Sequence, residues 1–296
     1  MLFRPFYSIM LRNMKNWLYN QTVVLTGASG GIGKELCLLL IRRFGAHVIG
    51  IGRSEEKMLA LKTELGELSN LFSYRLFDVG EQENWQAFKN ELIQEGVKPV
   101  LLINNAGAFP VFTTVEKTPV ETYERLMKTN FHATVYAINA LSPLLCPNGK
   151  FTPGIVNVAS SASLCSIVGT SAYTATKCAL KGFSEVLALD EKGKKYIGVV
   201  YPGTTATDLF RNDGNTKNSA LDKVAMSAEK MARKIAKRIL KRKKRSVVGW
   251  DAKLMNFTAK IMPVKGPQLI RFVMKKSKSK VFLEVFENQE KVDDND

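Results

Sequence analysis

A tyrosine and a lysine stand four residues apart in the segment Tyr173-Thr-Ala-Thr-Lys177, inside a stretch that reads as a helix over 171–190. Residues at i and i+4 share one face of a helix, so the two side chains are expected to lie together. A free tyrosine, with a pKa of about 10, is a poor acid or base at neutral pH. A neighbouring ammonium stabilises the phenolate and lowers that pKa. The pair therefore predicts proton transfer to a carbonyl oxygen or from an alcohol.

A glycine cluster follows the first apolar strand, in Thr26-Gly-Ala-Ser-Gly-Gly-Ile-Gly33, and a helical segment follows it. A bound phosphate needs backbone N–H donors and close approach, and the N-terminus of a helix adds a favourable dipole. The second strand ends at Gly52-Arg53-Ser54, without the acid that would bind the ribose 2′-hydroxyl of NAD. Because a guanidinium binds phosphate bidentately, Arg53 predicts a preference for NADP(H) over NAD(H); a plain solvent-exposed arginine is the alternative.

These residues lie at the ends of short apolar strands that alternate with helices. The predicted strands cover residues 22–25, 46–51, 73–77, 100–103, 155–158 and 197–201. Helices are predicted over 34–44, 55–65, 81–95, 119–145 and 171–190. Strands that are almost continuously apolar indicate a sheet buried on both faces. The pattern therefore predicts an α/β fold, with a doubly wound parallel sheet and helices on both faces.

Four further segments follow the same scaffold in order: Asn104-Asn-Ala-Gly107, then Asn130, then Ser160 thirteen residues before Tyr173, then Pro202-Gly-Thr-Thr-Ala-Thr207. With the glycine loop and the tyrosine–lysine pair, they make the chain resemble the short-chain dehydrogenase/reductase family over about residues 21–250. The chain is similar in particular to membrane-associated members that act on lipid-like or steroid-like carbonyls. The resemblance implies a Rossmann-type fold and hydride transfer between nicotinamide and a carbonyl or secondary alcohol.

The same resemblance implies a role for each matched residue. Tyr173 would be the acid/base, Lys177 would also hold the nicotinamide ribose, and Ser160 would orient the substrate oxygen. Asn130 would hold a water that relays protons to Lys177. Within the nucleotide site, Asp78 and Val79 would bracket the adenine. The implied nucleotide contacts are Gly27, Ser29, Gly31, Ile32, Gly33, Arg53, Asp78, Val79, Asn105, Ala106, Gly107, Tyr173, Lys177, Pro202, Gly203, Thr205 and Thr207.

Several residues close to these motifs receive other interpretations. Asn104 is expected to tie neighbouring strands by a hydrogen bond. Ser161 and Ser163 match Ser160 by type, but only Ser160 has the family's spacing to Tyr173. Cys178 is expected to be a buried helix residue and not a nucleophile. Leu209 and Phe210, in the loop after the last strand motif, are predicted to contact the substrate together with Ser160 and Tyr173.

Charge is concentrated near the C-terminus. The formal net charge of the chain is +16, while residues 223–280 hold 19 basic and two acidic residues. Residues 226–245 read as a basic amphipathic helix, and 253–274 carry apolar residues between cations. Such a surface suits an anionic membrane, here through residues 226–280, a lid over a lipid-like substrate, or a contact within a homo-oligomer. A nucleic-acid partner is not favoured, because no nucleic-acid-binding motif accompanies the charge.

The predicted organisation is an N-terminal arm or interfacial segment over 1–20, a catalytic domain over 21–250 and a basic extension with an acidic end over 251–296. No apolar run reaches the roughly 18 residues of a membrane span. Four scattered cysteines and two histidines argue against a disulfide framework and predict no metal site. The expected location is the cytoplasmic face of a membrane, as a peripheral protein, with a soluble cytoplasmic protein as the alternative.

A second hypothesis treats the chain as a dinucleotide-binding scaffold or regulatory protein. The basic tail would then engage a membrane or nucleic acid, with little turnover. The intact set of Ser160, Tyr173 and Lys177 favours the enzyme.

Overall fold

A computed structural model describes residues 16–207 and 225–277, together with Phe282, Val285 and Phe286. The strands are β1 Thr22–Thr26, β2 His47–Gly52, β3 Phe72–Leu76, β4 Leu101–Asn104, β5 Gly154–Val158, β6 Tyr196–Pro202, β7 Thr205–Ala206, β8 Met226–Ser227 and β9 Arg245–Val248. Seven of them form a sheet in the order β3-β2-β1-β4-β5-β6-β9. All its pairings are parallel, and β7 with β8 form a separate short parallel pair. The predicted doubly wound parallel sheet is confirmed.

The helices lie on both faces of this sheet. They are α1 Gly31–Phe44, α2 Glu55–Leu65, α3 Gln82–Gln94, α4 Val120–Met127, α5 Ala133–Leu141, α6 Ser171–Asp190, α7 Ala228–Leu240, α8 Trp250–Ile261 and α9 Lys265–Lys276. Side chains alternate across β1: Val23 and Leu25 join a core cluster with residues of α1, α2 and α7, while Val24 joins one with residues of α3 and α5. Both faces of the strand are therefore buried, which explains its uninterrupted apolar sequence.

The main differences from the sequence prediction are the helix predicted over 119–145 and strand β9; the short strands β7 and β8 were not predicted either. The single helix predicted over 119–145 is interrupted by a π-helical turn, Lys128–His132, between α4 and α5, and ends in a 3-10 turn. The π turn buries Asn130. Strand β9 was not predicted, because its four residues begin with Arg-Ser and follow a run of cations. As an edge strand it pairs with β6 alone, so it needs less apolar sequence than the central strands.

The N-terminal end of the described chain and helix α7 pack on this core. Trp17 and Leu18 are buried, and Trp17 lies against Arg242, whose guanidinium is 4.8 Å from the tryptophan ring. Of the N-terminal arm or interfacial segment predicted over residues 1–20, residues 1–15 lie outside the described residues. The amphipathic helix predicted in 226–245 is α7, and its apolar side is buried as expected, through Met231, Ala232, Ile235, Ala236 and Ile239.

Candidate active site

The loop from β1 to α1 is shaped by its glycines. Gly27 and Gly31 adopt the left-handed backbone region, with φ of +65° and +49°. A Cβ on Gly33 would overlap the carbonyl oxygen of Gly27. The loop is thus closed so tightly that only hydrogen fits at residue 33, and α1 begins directly at Gly31. The N-terminus of α1 therefore carries backbone N–H groups that no capping side chain covers. Such a helix N-terminus binds the phosphates of a dinucleotide.

Hydrogen bonds hold the segment after β4 against this loop. The hydroxyl of Thr26 accepts from the backbone N–H groups of Asn105 and Ala106, at 2.9 Å each. The Asn105 amide donates to the carbonyl of Thr26 at 3.0 Å. Asn104 plays a different part, as expected: its amide donates to Asn157 of β5 at 2.9 Å, and so ties the two neighbouring strands. The motif therefore combines one sheet-bracing residue with three that face the cleft.

A cleft of about 330 Å³ opens above these loops. It is lined by Gly27, Ser29, Gly30, Gly31, Ile32, Arg53, Lys57, Asn105, Ala106, Gly107, Val158, Ala159, Ser160, Tyr173, Lys177, Pro202, Gly203, Thr205 and Thr207. All the nucleotide contacts predicted from sequence lie here except Gly33, Asp78 and Val79. Gly33 is packed behind the loop, and Val79 is buried in the core. The glycine cradle and the polar lining fit a dinucleotide.

Two cations lie at the β2 end of this cleft, which we call the nucleotide cleft. Arg53 is 79% exposed along its side chain and lies 3.6 Å from the Asp78 carboxylate. Lys57, four residues further along, also lines the cleft and was missed in the sequence. Its position in the first turn of α2, next to Ser54, whose hydroxyl accepts from its backbone N–H, was the available signal. Asp78 itself turns back to accept from the N–H of Gly80 at 2.8 Å.

The tyrosine–lysine pair lies at the floor of the cleft. Burial raises the pKa of Tyr173, and a hydrogen bond with Ser160 partly opposes that rise. Burial lowers the pKa of Lys177 to about 8. Lys177 Nζ donates to the Val158 carbonyl at 3.2 Å and lies 5.7 Å from the centre of the Tyr173 ring. The expectation that Lys177 lowers the pKa of Tyr173 is therefore not met here, because the desolvation of the phenol dominates.

Asn130 reaches the same floor from the π-helical turn. Its amide donates to the Ala108 carbonyl at 3.0 Å and to the Thr176 hydroxyl at 3.1 Å, and its carbonyl oxygen accepts from the Ala108 N–H at 2.7 Å. A Cβ on Gly107 would lie 3.3 Å from the Asn130 Oδ1 and 3.4 Å from the Lys177 Nζ. Asn130 thus fixes the segment that follows the NNAG motif, next to Lys177.

Ser160 lies two residues after the end of β5 and caps the 3-10 turn Ser161–Ser163. Its hydroxyl accepts from the Ala162 N–H at 3.2 Å, which fixes the side chain at the cleft. Ser163 donates its hydroxyl to the Ser160 carbonyl at 2.6 Å, so it serves the turn. Among the three serines predicted as alternatives, Ser160 alone lines the nucleotide cleft.

A second cavity, of about 310 Å³, adjoins the nucleotide cleft. We call it the apolar cavity. The two share Ser160, Tyr173 and Gly203. Its other lining residues are Phe109, Phe112, Ser161, Ala162, Ile167, Thr170, Thr204, Trp250, Asp251, Leu254, Met255, Thr258, Leu269, Ile270, Val273, Met274, Ser277 and Phe282. The predicted substrate contacts Leu209 and Phe210 lie outside the described residues.

Helices α8 and α9 supply one wall of the apolar cavity. From the sequence, the role of this region stayed open between a membrane surface, a lid over the substrate and an oligomer contact. Phe109 forms part of the opposite side, with its ring 4.9 Å from the ring of Tyr173. Asp251, at the start of α8, accepts from the Thr204 N–H at 2.6 Å. That bond anchors the loop that separates the two cavities. Neither Phe109 nor Asp251 was found from the sequence, because only the fold brings residues so far apart into contact.

Cys178 was predicted to be buried, and this is wrong: its side chain is exposed. Desolvation nevertheless raises the pKa of its thiol, which is the opposite of what activates a nucleophile. Among residues 16–207 and 225–277, no cluster of His, Cys, Asp and Glu could hold a metal ion. The same residues include no helix long and apolar enough to cross a bilayer.

Comparisons with known proteins agree with this geometry. The family model described as short chain dehydrogenase matches residues 21–218. The chain is 28% identical over 190 residues to an NADPH-dependent pterin aldehyde reductase of Arabidopsis thaliana, covering 64% of this chain and 77% of the relative. It is 27% identical over 253 residues to a 3-ketodihydrosphingosine reductase of Bos taurus, covering 82% and 75%.

A solved structure shows the same fold. It is a short-chain dehydrogenase from Shigella flexneri in complex with NADP, with a TM-score of 0.70 and 24% identity. The match covers 81% of this chain and all of that one.

Proposed function

The chain belongs to the short-chain dehydrogenase family and is an oxidoreductase that acts on CH–OH groups, and on that premise we propose that it is an NADP(H)-dependent reductase of apolar carbonyl compounds, with Tyr173 as its acid/base. One observation carries the proposal. Ser160 and Tyr173 stand where the polar nucleotide cleft meets the apolar cavity. A carbonyl held in the apolar cavity therefore reaches these two hydroxyls from the side opposite the nucleotide.

The chain's own residues divide the work. When bound, a nicotinamide dinucleotide supplies the hydride, and its phosphates would lie at the glycine loop before α1. Ser160 donates to the carbonyl oxygen and orients it. Tyr173 gives its phenolic proton to the same oxygen, or removes it in the reverse direction. Lys177 places a cation beside the ring, and Asn130 holds the neighbouring loop in position and carries the proposed water relay.

The preference for NADP(H) over NAD(H) rests on Arg53 and Lys57. Both side chains line the cleft at the end of β2, where a dinucleotide carries its adenosine ribose. Two cations at that point favour a ribose phosphate over a free hydroxyl. One relative is named as NADPH-dependent, which supports the same choice. Asp78 and Val79, which follow β3, are proposed to bracket the adenine.

A lipid-like substrate is supported by the lining of the apolar cavity. Phe109, Leu254 and Val273 are among its walls, and few polar groups accompany them. Cavities that bind apolar ligands combine such a lining with a few placed polar groups, here the two hydroxyls. The relative named as a 3-ketodihydrosphingosine reductase supports this class. We propose Leu209 and Phe210 as further substrate contacts.

We also propose a peripheral association with an anionic membrane at its cytoplasmic face, through residues 226–280. Four large apolar side chains of α8 are more than 40% exposed there: Trp250, Leu254, Phe257 and Ile261. A soluble cytoplasmic protein is the alternative, separated by co-sedimentation with anionic vesicles at low and high salt. A homo-oligomer is supported by the exposed Val186 and Leu189 of α6, and light scattering tests it.

The replacement Tyr173→Phe tests the reaction. The substrates are a series of apolar ketones of increasing chain length, followed by NADPH oxidation. We expect kcat to fall by about 100-fold or more, because the proton donor is lost. NADPH binding stays within about twofold, since only one oxygen is removed from a binding surface of many contacts.

A matched tyrosine serves as the control. Tyr136→Phe changes a half-buried tyrosine of α5 that lines neither cavity, and we expect it to keep full activity. Equal activity of Tyr173→Phe and the wild type would refute the assigned role. A wild-type protein that binds NADPH but reduces no ketone would favour the scaffold hypothesis.

A further inference from the structure

A third cavity, distinct from the two that meet at Tyr173, lies between α7, β9 and α8. Its volume is about 320 Å³. Five cationic side chains line it: Lys234, Lys237, Arg238, Lys241 and Lys253. The backbone at Gly249, where α8 begins, closes one side. We call it the basic cavity.

The position of four of these cations follows from the way α7 packs. Met231, Ile235 and Ile239 are buried against the core, so the opposite face of the helix faces outwards. Residues 234, 237, 238 and 241 fall on that outer face at spacings of three, four and seven. Lys253 approaches the same space from α8, so the cluster is a feature of the fold and not of one helix alone.

The charges of the basic cavity have no acidic partner among the described residues. Residues 223–280 contain two acids. Glu229 pairs with Arg233 at 2.6 Å, and Asp251 is bound to the Thr204 N–H. None of the five cations makes an ion pair in the described part of the chain. Five like charges around one space repel each other, and a polyanion that enters relieves that repulsion.

The first turn of α8 adds to this field. The N-terminus of a helix carries a partial positive charge, and Gly249 places it at the wall of the cavity. The acid in that turn, Asp251, lines the apolar cavity and not the basic cavity, but its carboxylate lies beside Gly249 and offsets part of this charge. One phosphate group offsets at most two charges, so the five cations match a ligand with several phosphates.

The surface beside the basic cavity indicates where such a ligand comes from. Trp250, Phe257 and Ile261 form an exposed apolar row on α8, and Lys253 and Lys260 form a parallel row next to it. An apolar row bordered by cations is the arrangement of a helix that lies in the interface of a bilayer. Lys253 belongs both to that border and to the basic cavity.

We propose that the basic cavity binds the headgroup of a membrane lipid that carries several phosphates, while the apolar row of α8 lies in the bilayer interface. The cavity would then select one class of anionic lipid, beyond a general attraction to negative surfaces. This deepens the membrane association proposed above, and it does not depend on the hydride-transfer reaction.

The test compares two double variants of the full chain. Lys237→Gln with Lys241→Gln removes two cations of the basic cavity. Lys243→Gln with Lys244→Gln removes two exposed cations of the turn after α7 that lie outside it. Binding is measured to phosphatidylcholine vesicles that contain phosphatidylinositol bisphosphate, and to vesicles with phosphatidylserine at the same total charge.

We expect the wild type to bind the bisphosphate vesicles about tenfold more tightly than the phosphatidylserine vesicles. The cavity variant loses about thirtyfold on the bisphosphate vesicles and with it the preference. The turn variant keeps the preference. Equal losses in the two variants, or no preference in the wild type, would overturn the proposal, because a diffuse charge would then explain the binding.

Two further measurements distinguish a membrane lipid from a soluble phosphate compound and from a nucleic acid. Soluble inositol trisphosphate is expected to compete with vesicle binding but to bind more weakly than the vesicle does, because it lacks the apolar contact. Tighter binding of the soluble compound, or of a single-stranded oligonucleotide through the same lysines, would reject the lipid. NADPH binding in solution stays unchanged in both variants, so a failure of the reductase proposal is detected separately.

Discussion

The nucleotide cleft and the apolar cavity meet at Tyr173, but they are built in different ways. The cleft is made of short loops after β1, β4 and β6, where backbone atoms touch and Gly33 has room for hydrogen only. The cavity is made of apolar side chains from segments far apart in the chain, such as Phe109, Leu254 and Val273. A position where two backbone segments touch accepts only glycine. A position in a packed apolar lining accepts other side chains of similar volume. Substitutions should therefore be far more damaging in the cleft.

The largest effect is expected for Gly33→Ala. The new methyl group would overlap the Gly27 carbonyl oxygen, which is backbone and cannot rotate away. We expect a loss of about 3 kcal/mol or more in the free energy of unfolding, with loss of nucleotide binding. Urea unfolding and NADPH titration measure the two effects.

Gly30→Ala is the matched control in the same loop. No atom lies within 4 Å of a Cβ placed there, and its backbone is extended at φ −151°. This variant should fold with the stability of the wild type. Because Gly30 lines the nucleotide cleft, the control concerns stability and not NADPH binding. A mild effect of Gly33→Ala, equal to that of Gly30→Ala, would contradict the claim that the cleft is set by backbone contact.

The same difference explains how far the sequence could predict the molecule. Some site residues belong to motifs that residue types and spacing reveal without knowledge of the fold. These are the glycine loop, Asn105, Ser160 and the tyrosine–lysine pair. Phe109 and Asp251 carry no local pattern, since their roles exist only once the loop after β4 and the start of α8 lie beside the substrate region. The π turn at Asn130 was missed for another reason, because the sequence of α4 and α5 satisfies an ordinary helix equally well.

The next effect concerns the charge buried under the cleft. Lys177 is almost fully buried, and its pKa falls from an ordinary 10.5 to about 8. Below the lower value both the folded and unfolded states carry the proton, so the folded state bears the full cost of burying the charge. As the pH rises from 8 to 10.5, the folded state loses its proton first, and the stability contributed by this group increases.

Lys177→Met should therefore be more stable than the wild type at neutral pH, by about 3 kcal/mol, without nucleotide. The gap should close as the pH approaches about 10, where the wild type buries a neutral amine. Urea unfolding across this range checks both statements. Lys192→Met changes an exposed lysine just after α6 and should show no such trend. A gap that stays constant with pH would show that packing, and not charge, distinguishes the two proteins.

At Arg53 the proposed contact with the nucleotide is made by a side chain and not by the backbone. Removing its guanidinium should weaken NADPH binding about tenfold, the usual worth of a charged hydrogen bond, and leave NADH binding unchanged. Titration of both nucleotides against Arg53→Ala measures this margin. Lys62→Ala, on the exposed side of α2, is the control and should change neither. If the affinities for NADPH and NADH fall equally, Arg53 does not bind the ribose phosphate. The preference for NADPH must then come from Lys57 or be absent.

The smallest effect is expected in the apolar cavity, with Leu254→Ala. Leu254 lines the cavity but is 47% exposed, so the truncation removes only part of a buried side chain. For ketones long enough to reach α8, kcat/KM should fall about fivefold, and for short ketones it should not change. Phe257→Ala removes a larger, 61% exposed side chain from the same helix without touching the cavity, and should leave both values unchanged in solution. A loss that is equal for short and long ketones would mean that α8 supports the loop at Thr204 and does not contact the substrate.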